Sequence, residues 1–312
     1  MSMPEVDYIW KNGELVPWAE ATTHVLSHVM HYGSGAFEGI RAYKLTEGGT
    51  AVFRLHEHME RLLLSAKMLY MDVGYTVDEL CEAVCQLISA NGLDACYVRP
   101  LVYRGYGSMG LDPLPAPVDL IIACWPWAPL LGEAGAETGV DACVSSWRQR
   151  SVNSMPPAIK ASGNYVNSSL ARIEANKNGY AEAILLNEQG HISEGTGDNL
   201  FIVKGERILT PPSADGVLRG ITRDTIIELA RVFGYELRKV SLVRSDLYSA
   251  DEVFLTGTAV EVVPIHAVDG IEVGGGKPGP VTRRLQTAFH AIVQGEDPAF
   301  EQWLYRVYPP PS

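Results

Sequence analysis

The 312-residue chain carries 25 basic and 37 acidic side chains, a formal net charge of −12, and 46% of its residues are hydrophobic. A chain of this length forms one large domain or two medium ones, and its apolar content excludes a largely disordered protein. The acidic balance, without a basic stripe, argues against nucleic acid or an anionic membrane surface as the main partner.

The amino-terminal segment and the cysteines favour a reduced compartment. The first seven residues lack the basic region and the apolar core that are typical of a secretory signal. The longest apolar stretch, 120–131, contains two prolines and is too short to span a bilayer. Five cysteines at irregular spacing, with no C-x-x-C pair, are typical of reduced thiols. We therefore expect a cytoplasmic protein without a membrane segment.

Turn residues and hydrophobic periodicity divide the first part of the chain into hairpins, helices and strands. The Asn12-Gly13 pair is a strong signal for a tight turn. Thr76 and Glu79 have the spacing of a helix capping box. The predicted elements are hairpin strands 7–10 and 14–17, hairpin strands 39–43 and 51–54, a helix from about 56 to 70, a second helix that is capped at 76 and ends just before Gly92, and strands 96–103 and 118–125.

Residues 131–139 are small and glycine-rich, which predicts a linker between a smaller α/β domain, 1–130, and a larger cofactor-binding domain, 140–312. Beyond the linker, short apolar runs alternate with amphipathic ones. The predicted strands lie near 141–147, 182–187, 199–204, 235–241, 252–256 and 259–265, and the helices near 165–177, 222–233 and 280–294. We expect two α/β domains with the active site in the cleft between them.

Two patterns suggest other chemistry, but each lacks part of its signature. Residues 105–110 fit G-x-G-x-x-G after a strand, yet the proline-rich sequence that follows cannot begin the helix that a dinucleotide site needs. The histidines at 24, 28 and 31 have helical spacing but no Cys or acidic ligand beside them. The sequence therefore predicts neither a dinucleotide nor a metal site.

Lys160 lies in a segment that is first apolar and then rich in glycine. No other charged side chain occurs between Arg150 and Arg172. Desolvation in such surroundings would lower the pKa of the lysine and free its amine for Schiff-base chemistry. The alternative is a lysine at the end of a strand whose amine extends into solvent.

Three further segments could surround a planar, anionic ligand. Glu194 precedes an apolar strand and is followed by two glycines that allow close approach. Thr222 suits the N-cap of a helix whose first-turn N–H groups would bind phosphate, and the turn 256–259 offers hydroxyl and amide groups to an anion. A lysine, an acid and two anion sites are what a pyridoxal phosphate enzyme needs. A solvated hairpin tip, ordinary capping and a plain turn are the alternatives.

These motifs occur together, and in order, in one family. From about Asp7 to beyond Phe289, the chain resembles the branched-chain amino-acid aminotransferases of the fold-type IV pyridoxal phosphate enzymes. The resemblance is carried by residues 31–41, 58–62, 97–101, 160–165, 193–200, 220–224 and 256–259. It implies an α/β fold of two domains, pyridoxal 5′-phosphate as cofactor, and a homodimer or a trimer of dimers.

The resemblance also implies roles at the cofactor. Lys160 would form the Schiff base and move the proton between the substrate α-carbon and the cofactor C4′. Glu194 would pair with the pyridine nitrogen, and Tyr165 with the phenolic oxygen. The phosphate would be held by Arg61, Ile221, Thr222 and Thr258, and Leu218 would lie against the ring.

The family's substrate site takes both an aliphatic amino acid and glutamate. Arg99 would meet the γ-carboxylate of glutamate, together with Tyr32 from a neighbouring subunit. The apolar pocket would be formed by Phe37, Trp127 and Tyr165, and the α-carboxylate site by Tyr97, Thr258 and Ala259. Met109 and Leu111 would cover the neighbour's pocket, which makes a dimer necessary for activity. Leu130 stands where bacterial relatives often have an aromatic residue, which affects the expected pocket size.

The expected reaction is ping-pong transamination of leucine, isoleucine and valine with 2-oxoglutarate. The expected partners are therefore small amino acids and 2-oxo acids. Within the same fold, the alternatives are a D-amino-acid or (R)-amine transaminase and an aminodeoxychorismate lyase. Outside this chemistry, the alternatives are a non-catalytic binding protein and a nicotinamide-dependent oxidoreductase.

Overall fold

The computed structural model describes residues 4–127, 135 and 137–307, which group by their contacts into two compact units. The first unit contains 4–127, 159–163 and 291–307, and the second contains 135, 137–158 and 164–290. The short segment around Lys160 thus joins the first unit, because Ala161 pairs with Ala36 there. The boundaries predicted at 130 and 140 stay a prediction. Leu130 and most of the predicted linker lie outside the described residues.

The elements are numbered in chain order. The strands are β1 (Tyr8–Lys11), β2 (Glu14–Pro17), β3 (Gly35–Phe37), β4 (Ile40–Lys44), β5 (Thr50–Phe53), β6 (Cys96–Arg104), β7 (Val118–Trp125), β8 (Val140–Arg148), β9 (Glu182–Leu186), β10 (Asn199–Lys204), β11 (Arg207–Thr210), β12 (Glu236–Lys239), β13 (Glu252–Gly257), β14 (Glu261–Val268), β15 (Ile271–Glu272) and β16 (Leu304–Val307). The helices are α1 (His28–Tyr32), α2 (Leu55–Met68), α3 (Val77–Ala90), α4 (Tyr165–Lys177), α5 (Ile221–Val232), α6 (Arg244–Tyr248) and α7 (Pro280–Val293).

An antiparallel sheet forms the first unit, with strand order β16-β5-β4-β6-β7-β1-β2 and β3 paired to β6. Helices α2 and α3 pack their apolar stripes against it. Met59 and Leu62 of α2 and Leu87 of α3 are fully buried in one cluster with Val98 and Ile122 of the sheet. Burial of each such side chain contributes roughly 1.5–3 kcal/mol, so this core fixes the position of α2 on the sheet.

A mixed sheet forms the second unit, with strand order β12-β11-β10-β13-β14-β8-β9 and β15 paired to β14. The pairs β11–β12, β14–β8 and β8–β9 are parallel, and the other pairs are antiparallel. Asn199 pairs with Thr256, and Thr256 pairs with Val262. This register places the loop before β10 and the turn between β13 and β14 at the same edge of the sheet.

The longer predicted elements are confirmed. The Asn12-Gly13 turn has positive φ at both residues, 48° and 102°, and Thr76 and Glu79 cap α3 reciprocally. The short elements that were not predicted are β3, β11, β15, β16, α1 and α6. Because α1 begins only at His28, the three histidines do not share one helical face. No helix among the described residues is long and apolar enough to cross a bilayer.

Candidate active site

The main chain of Lys160 is held on both sides by the first unit. Its N–H donates to the buried Ser65 Oγ at 3.1 Å, and its carbonyl accepts from the Phe37 N–H at 3.0 Å. The Lys160 Nζ lies 5.1 Å from the centre of the Phe37 ring. The approach needs Gly33, since a Cβ there would lie 2.9 Å from the Gly163 Cα. The glycines around Lys160 therefore allow a close contact between two backbones.

Four of the predicted substrate residues form one cluster in the unit that contains the Lys160 segment, and Phe37 is the member that lies next to Lys160. The Arg99 guanidinium lies 4.7 Å from the Phe37 ring centre and donates to the Tyr97 hydroxyl at 3.2 Å. The Trp127 ring packs on Tyr97 with ring centres 4.6 Å apart. The buried Arg99 Nε and Trp127 Nε1 have no hydrogen-bond partner among the described residues. The group thus combines aromatic surface with one cation.

Gly39 makes room for this group. A Cβ at Gly39 would lie only 2.0 Å from the Tyr97 hydroxyl oxygen, closer than two atoms can approach without bonding. Any larger residue at this position would displace the Tyr97 side chain. The sequence did not single out Gly39, because the contact arises only when β4 and β6 pair.

Arg61 forms a bidentate ion pair with the fully buried Glu38. Its Nε and Nη2 donate to the two carboxylate oxygens at 2.6 and 2.8 Å, and His58 Nδ1 lies 2.7 Å from Glu38 Oε2. Burial would raise the pKa of Glu38, but Arg61 and His58 hold it well below its usual range. Burial lowers the pKa of His58, and Glu38 only partly opposes that effect. The pair fixes the orientation of the guanidinium.

Glu194 lies half-buried in the second unit and accepts hydrogen bonds on both carboxylate oxygens. Gln149 Nε2 donates to Oε1 at 2.6 Å, while the Leu218 N–H and Asn199 Nδ2 donate to Oε2 at 2.9 and 3.3 Å. Donors of this kind stabilise the ionised carboxylate. The arrangement favours an oriented anion over the solvated acid at a hairpin tip that was the alternative.

The loop that follows Glu194 is held in place by Glu182, a buried acid. Thr196 donates through its hydroxyl to Glu182 Oε1 at 2.6 Å, and Arg172 pairs with the other carboxylate oxygen. The Gly195 N–H donates to the Asp198 carbonyl at 2.7 Å. These bonds hold the loop at the edge of the sheet. The position of Glu194 is therefore fixed by the loop as well as by the hydrogen bonds of its own carboxylate.

The start of α5 differs from the prediction. Thr222 was expected at the N-cap, but the helix begins at Ile221 and the N-cap is Gly220, which offers no side-chain cap. Thr222 therefore lies in the first turn, where it is buried. A Cβ at Gly220 would lie 1.9 Å from Asn199 Oδ1, so only glycine fits. A helix start without a side-chain cap suits an anionic ligand.

The turn with Thr258 and Ala259 lies at the same sheet edge as Glu194. Asp198 Oδ1 is 2.6 Å from the position of a Cβ on Gly257, directly before this turn. The Oγ1 of Thr256, which is fully buried, has no hydrogen-bond partner among the described residues. This edge of the sheet therefore carries the Glu194 carboxylate, threonine hydroxyls and the backbone N–H groups at the start of α5.

Arg150 connects Tyr165 with Glu194. Its guanidinium interacts electrostatically with both, while Nη1 donates to the Asn164 carbonyl at 2.9 Å. Burial lowers the pKa of Arg150, which the two acidic groups oppose. Arg150 and Gln149 were not predicted as site residues, because their contacts with Tyr165 and Glu194 form only in the folded protein.

Tyr32, Met109 and Leu111 lie on the surface of the first unit. Their side chains are exposed, Leu111 by 88%. His28 links their two segments, because its ring stacks on Tyr32 with centres 4.6 Å apart and its Nε2 lies 2.8 Å from the Gly110 carbonyl oxygen. The two segments therefore present one apolar surface.

The residues fit a pyridoxal phosphate group by their chemistry. Such a group carries an aldehyde, a basic ring nitrogen and a phosphate. The complementary groups are the amine of Lys160, the carboxylate of Glu194 and the helix start at Ile221. The unpartnered Oγ1 of Thr256 and Nε1 of Trp127 are further donors without a protein acceptor among the described residues.

Comparison with known proteins decides the family. The family described as amino-transferase class IV matches residues 35–268, which is more than half of the chain. The chain belongs to the class IV aminotransferases. The curated branched-chain-amino-acid aminotransferase of Escherichia coli K12 is 48% identical over 309 residues, which cover 98% of this class IV aminotransferase and 99% of the relative.

Solved structures agree with this relationship. The crystal structure of the Escherichia coli branched-chain amino acid aminotransferase matches with a TM-score of 0.95 at 48% identity and covers 97% of this class IV aminotransferase and 100% of that chain. The branched-chain amino acid aminotransferase from Thermobaculum terrenum in its PLP-bound holo-form matches with a TM-score of 0.90 at 38% identity, over 97% and 99% of the two chains. The predicted fold is confirmed.

Proposed function

We propose that this protein is a branched-chain amino-acid aminotransferase. It moves the amino group of leucine, isoleucine or valine to 2-oxoglutarate and uses pyridoxal 5′-phosphate as its cofactor. The observation that carries the proposal is the 48% identity to the Escherichia coli enzyme over nearly the full length of both chains. The cluster of Arg99 with three aromatic rings supports it, because an aliphatic side chain and a γ-carboxylate need different parts of one pocket.

The chain's own residues account for the proton movements. When bound, the cofactor supplies an electron sink for charge released at the substrate α-carbon. Lys160 carries the cofactor through its amine. With the cofactor bound, the free amine of Lys160 would take the proton from the substrate α-carbon as a base and deliver it at C4′ as an acid. Glu194 keeps the ring nitrogen protonated, and Tyr165 pairs with the phenolic oxygen.

The phosphate and the ring are held by groups of different kinds. Arg61 contributes a charge whose orientation Glu38 fixes, and the first turn of α5 contributes backbone N–H groups. The remaining contacts in this proposal come from Ile221, Thr222 and Thr258 to the phosphate and from Leu218 to the ring. Phosphate contacts of this kind position the cofactor without taking part in proton transfer.

Substrate recognition divides between the two ends of the amino acid. Arg99 binds the γ-carboxylate of glutamate, while an aliphatic side chain contacts the aromatic rings that surround Arg99. The apolar walls of the pocket are Phe37, Trp127 and Tyr165, and the α-carboxylate is held by Tyr97, Thr258 and Ala259. One site thus serves both half-reactions.

A second copy of the chain completes the site in this proposal. Tyr32, Met109 and Leu111 are exposed and apolar, which is unfavourable unless another surface covers them. In a homodimer or a trimer of dimers they reach the neighbour's pocket. The five cysteines are all free thiols, which favours a reducing compartment such as the cytoplasm as its location.

Product analysis tests the proposal. We expect the purified protein to convert L-leucine and 2-oxoglutarate into 4-methyl-2-oxopentanoate and L-glutamate. Parallel reactions with D-alanine and (R)-1-phenylethylamine should be far slower. Faster turnover of either would instead identify a D-amino-acid or (R)-amine transaminase. Release of pyruvate from aminodeoxychorismate without an amino acceptor would identify the lyase.

A further inference from the structure

The side chain of Gln149 has one orientation that satisfies its surroundings. Its Oε1 accepts from the Arg150 N–H at 3.3 Å, while its Nε2 donates to Glu194 Oε1 at 2.6 Å and to the Gly216 carbonyl at 3.3 Å. Exchanging the amide oxygen and nitrogen would place an oxygen against a carboxylate and a carbonyl, which repel it. The donor group therefore faces Glu194.

The backbone around Gln149 is arranged to keep this side chain in place. Its own N–H donates to the Leu186 carbonyl at 2.9 Å, which extends the pairing of β8 with β9. Gly216 has φ of +88°, and a Cβ there would lie 3.2 Å from the Gln149 Cγ. Gln149 as a whole residue is only 3% exposed, so water does not replace its contacts.

Gln149 is a neutral donor to the Glu194 carboxylate. Its hydrogen bond affects whether a proton shared between that carboxylate and the cofactor ring nitrogen lies on the oxygen or on the nitrogen. Removing the donor from Glu194 Oε1 makes the carboxylate a stronger base, because the ionised form loses a short hydrogen bond. A proton between Glu194 and a ring nitrogen then moves toward the carboxylate. With the donor present, the proton stays on the nitrogen.

We propose that Gln149 is a positioning residue that keeps Glu194 ionised and oriented, so that the cofactor ring nitrogen retains its proton. This inference rests on the proposed function, because it needs the pairing of Glu194 with that nitrogen. Gln149 touches neither substrate nor the reacting atoms in this account. Its effect passes entirely through the carboxylate.

The test uses holoenzyme loaded with pyridoxal phosphate that carries 15N at the ring nitrogen, and it reads the 15N chemical shift. We expect the protonated value in the wild type and a displacement toward the unprotonated value in Gln149→Met. The matched control is Gln189→Met, since Gln189 is exposed, and it should equal the wild type. The half-reaction with L-leucine should slow by about 10- to 100-fold in Gln149→Met alone.

A second variant covers the case in which Gln149→Met does not fold. Gln149→Asn keeps an amide but withdraws it by about one C–C bond, roughly 1.5 Å, and it should displace the 15N shift in the same direction. A wild-type shift in folded Gln149→Met or Gln149→Asn would overturn the inference and leave the proposed function intact. An unprotonated ring nitrogen in the wild type would contradict the role of Glu194 and, with it, this inference.

Discussion

Replacing Glu38 with glutamine tests the buried ion pair that orients Arg61. Glu38 is 0% exposed and receives three hydrogen bonds at 2.6–2.8 Å, two of them from Arg61, whose side chain is 11% exposed. In Glu38→Gln, the Arg61 guanidinium remains largely shielded from solvent but faces a neutral amide in place of a carboxylate. Breaking a buried pair by removing one partner costs about 3–5 kcal/mol, and glutamine keeps one acceptor. We therefore expect a loss of about 3 kcal/mol in the free energy of unfolding.

Urea unfolding of the protein freed of cofactor, followed by circular dichroism, measures this loss without a phosphate beside Arg61. The matched control is Glu60→Gln on the same helix α2, because the Glu60 side chain is 58% exposed and its removal should change the free energy by less than about 0.5 kcal/mol. A loss in Glu38→Gln no larger than the loss in Glu60→Gln would refute the reasoning.

Four further outcomes are expected. Lys160→Ala abolishes transamination while pyridoxal phosphate still binds through its phosphate, as measured by product formation and dialysis, and substantial turnover would remove Lys160 from its role. Arg99→Ala lowers kcat/KM for L-glutamate about 10- to 100-fold and for L-leucine much less; equal losses would mean that Arg99 serves the α-carboxylate or the fold. Gly39→Ala displaces the Tyr97 hydroxyl, which lies 2.0 Å from the new Cβ, and raises KM for both substrates, whereas unchanged KM values would contradict that contact. Burial lowers the pKa of His58 in the folded protein. As the pH falls below about 6.5, His58 therefore becomes protonated in the unfolded chain before it does so in the folded protein. Wild-type stability therefore falls by up to about 1.4 kcal/mol per pH unit there, and urea unfolding of His58→Gln should lack that slope.

The long elements could be predicted because their signals are local. The apolar stripe of α2 and the reciprocal cap of Thr76 and Glu79 depend on neighbours within one or two turns. Strand β16 has no such signal, since it is short and pairs with β5 about 250 residues earlier in the chain. The N-cap of α5 was misplaced by two residues because Thr222 has the usual capping chemistry. The N-cap is instead Gly220, where Asn199 leaves no room for a side chain.

Part of the site could also be read from the sequence. Lys160 is the only charged residue between Arg150 and Arg172, and Glu194 lies in a glycine-rich segment before an apolar strand, so both have a local signal. Glu38 and His58 are 20 positions apart, and Gln149 and Glu194 are 45 positions apart. Such pairs meet only after the sheets form, so neither spacing nor composition indicates them.

Lys160 is proposed to carry a pyridoxal phosphate that accepts the amino group of L-leucine. The most direct measurement adds L-leucine to the holoenzyme without a 2-oxo acid and follows the visible absorption of the cofactor. We predict that the band is lost as one equivalent of 4-methyl-2-oxopentanoate forms, and that 2-oxoglutarate restores it. A band that persists with L-leucine but is lost with D-alanine, or a protein that stays colourless after incubation with pyridoxal phosphate, would contradict the claim.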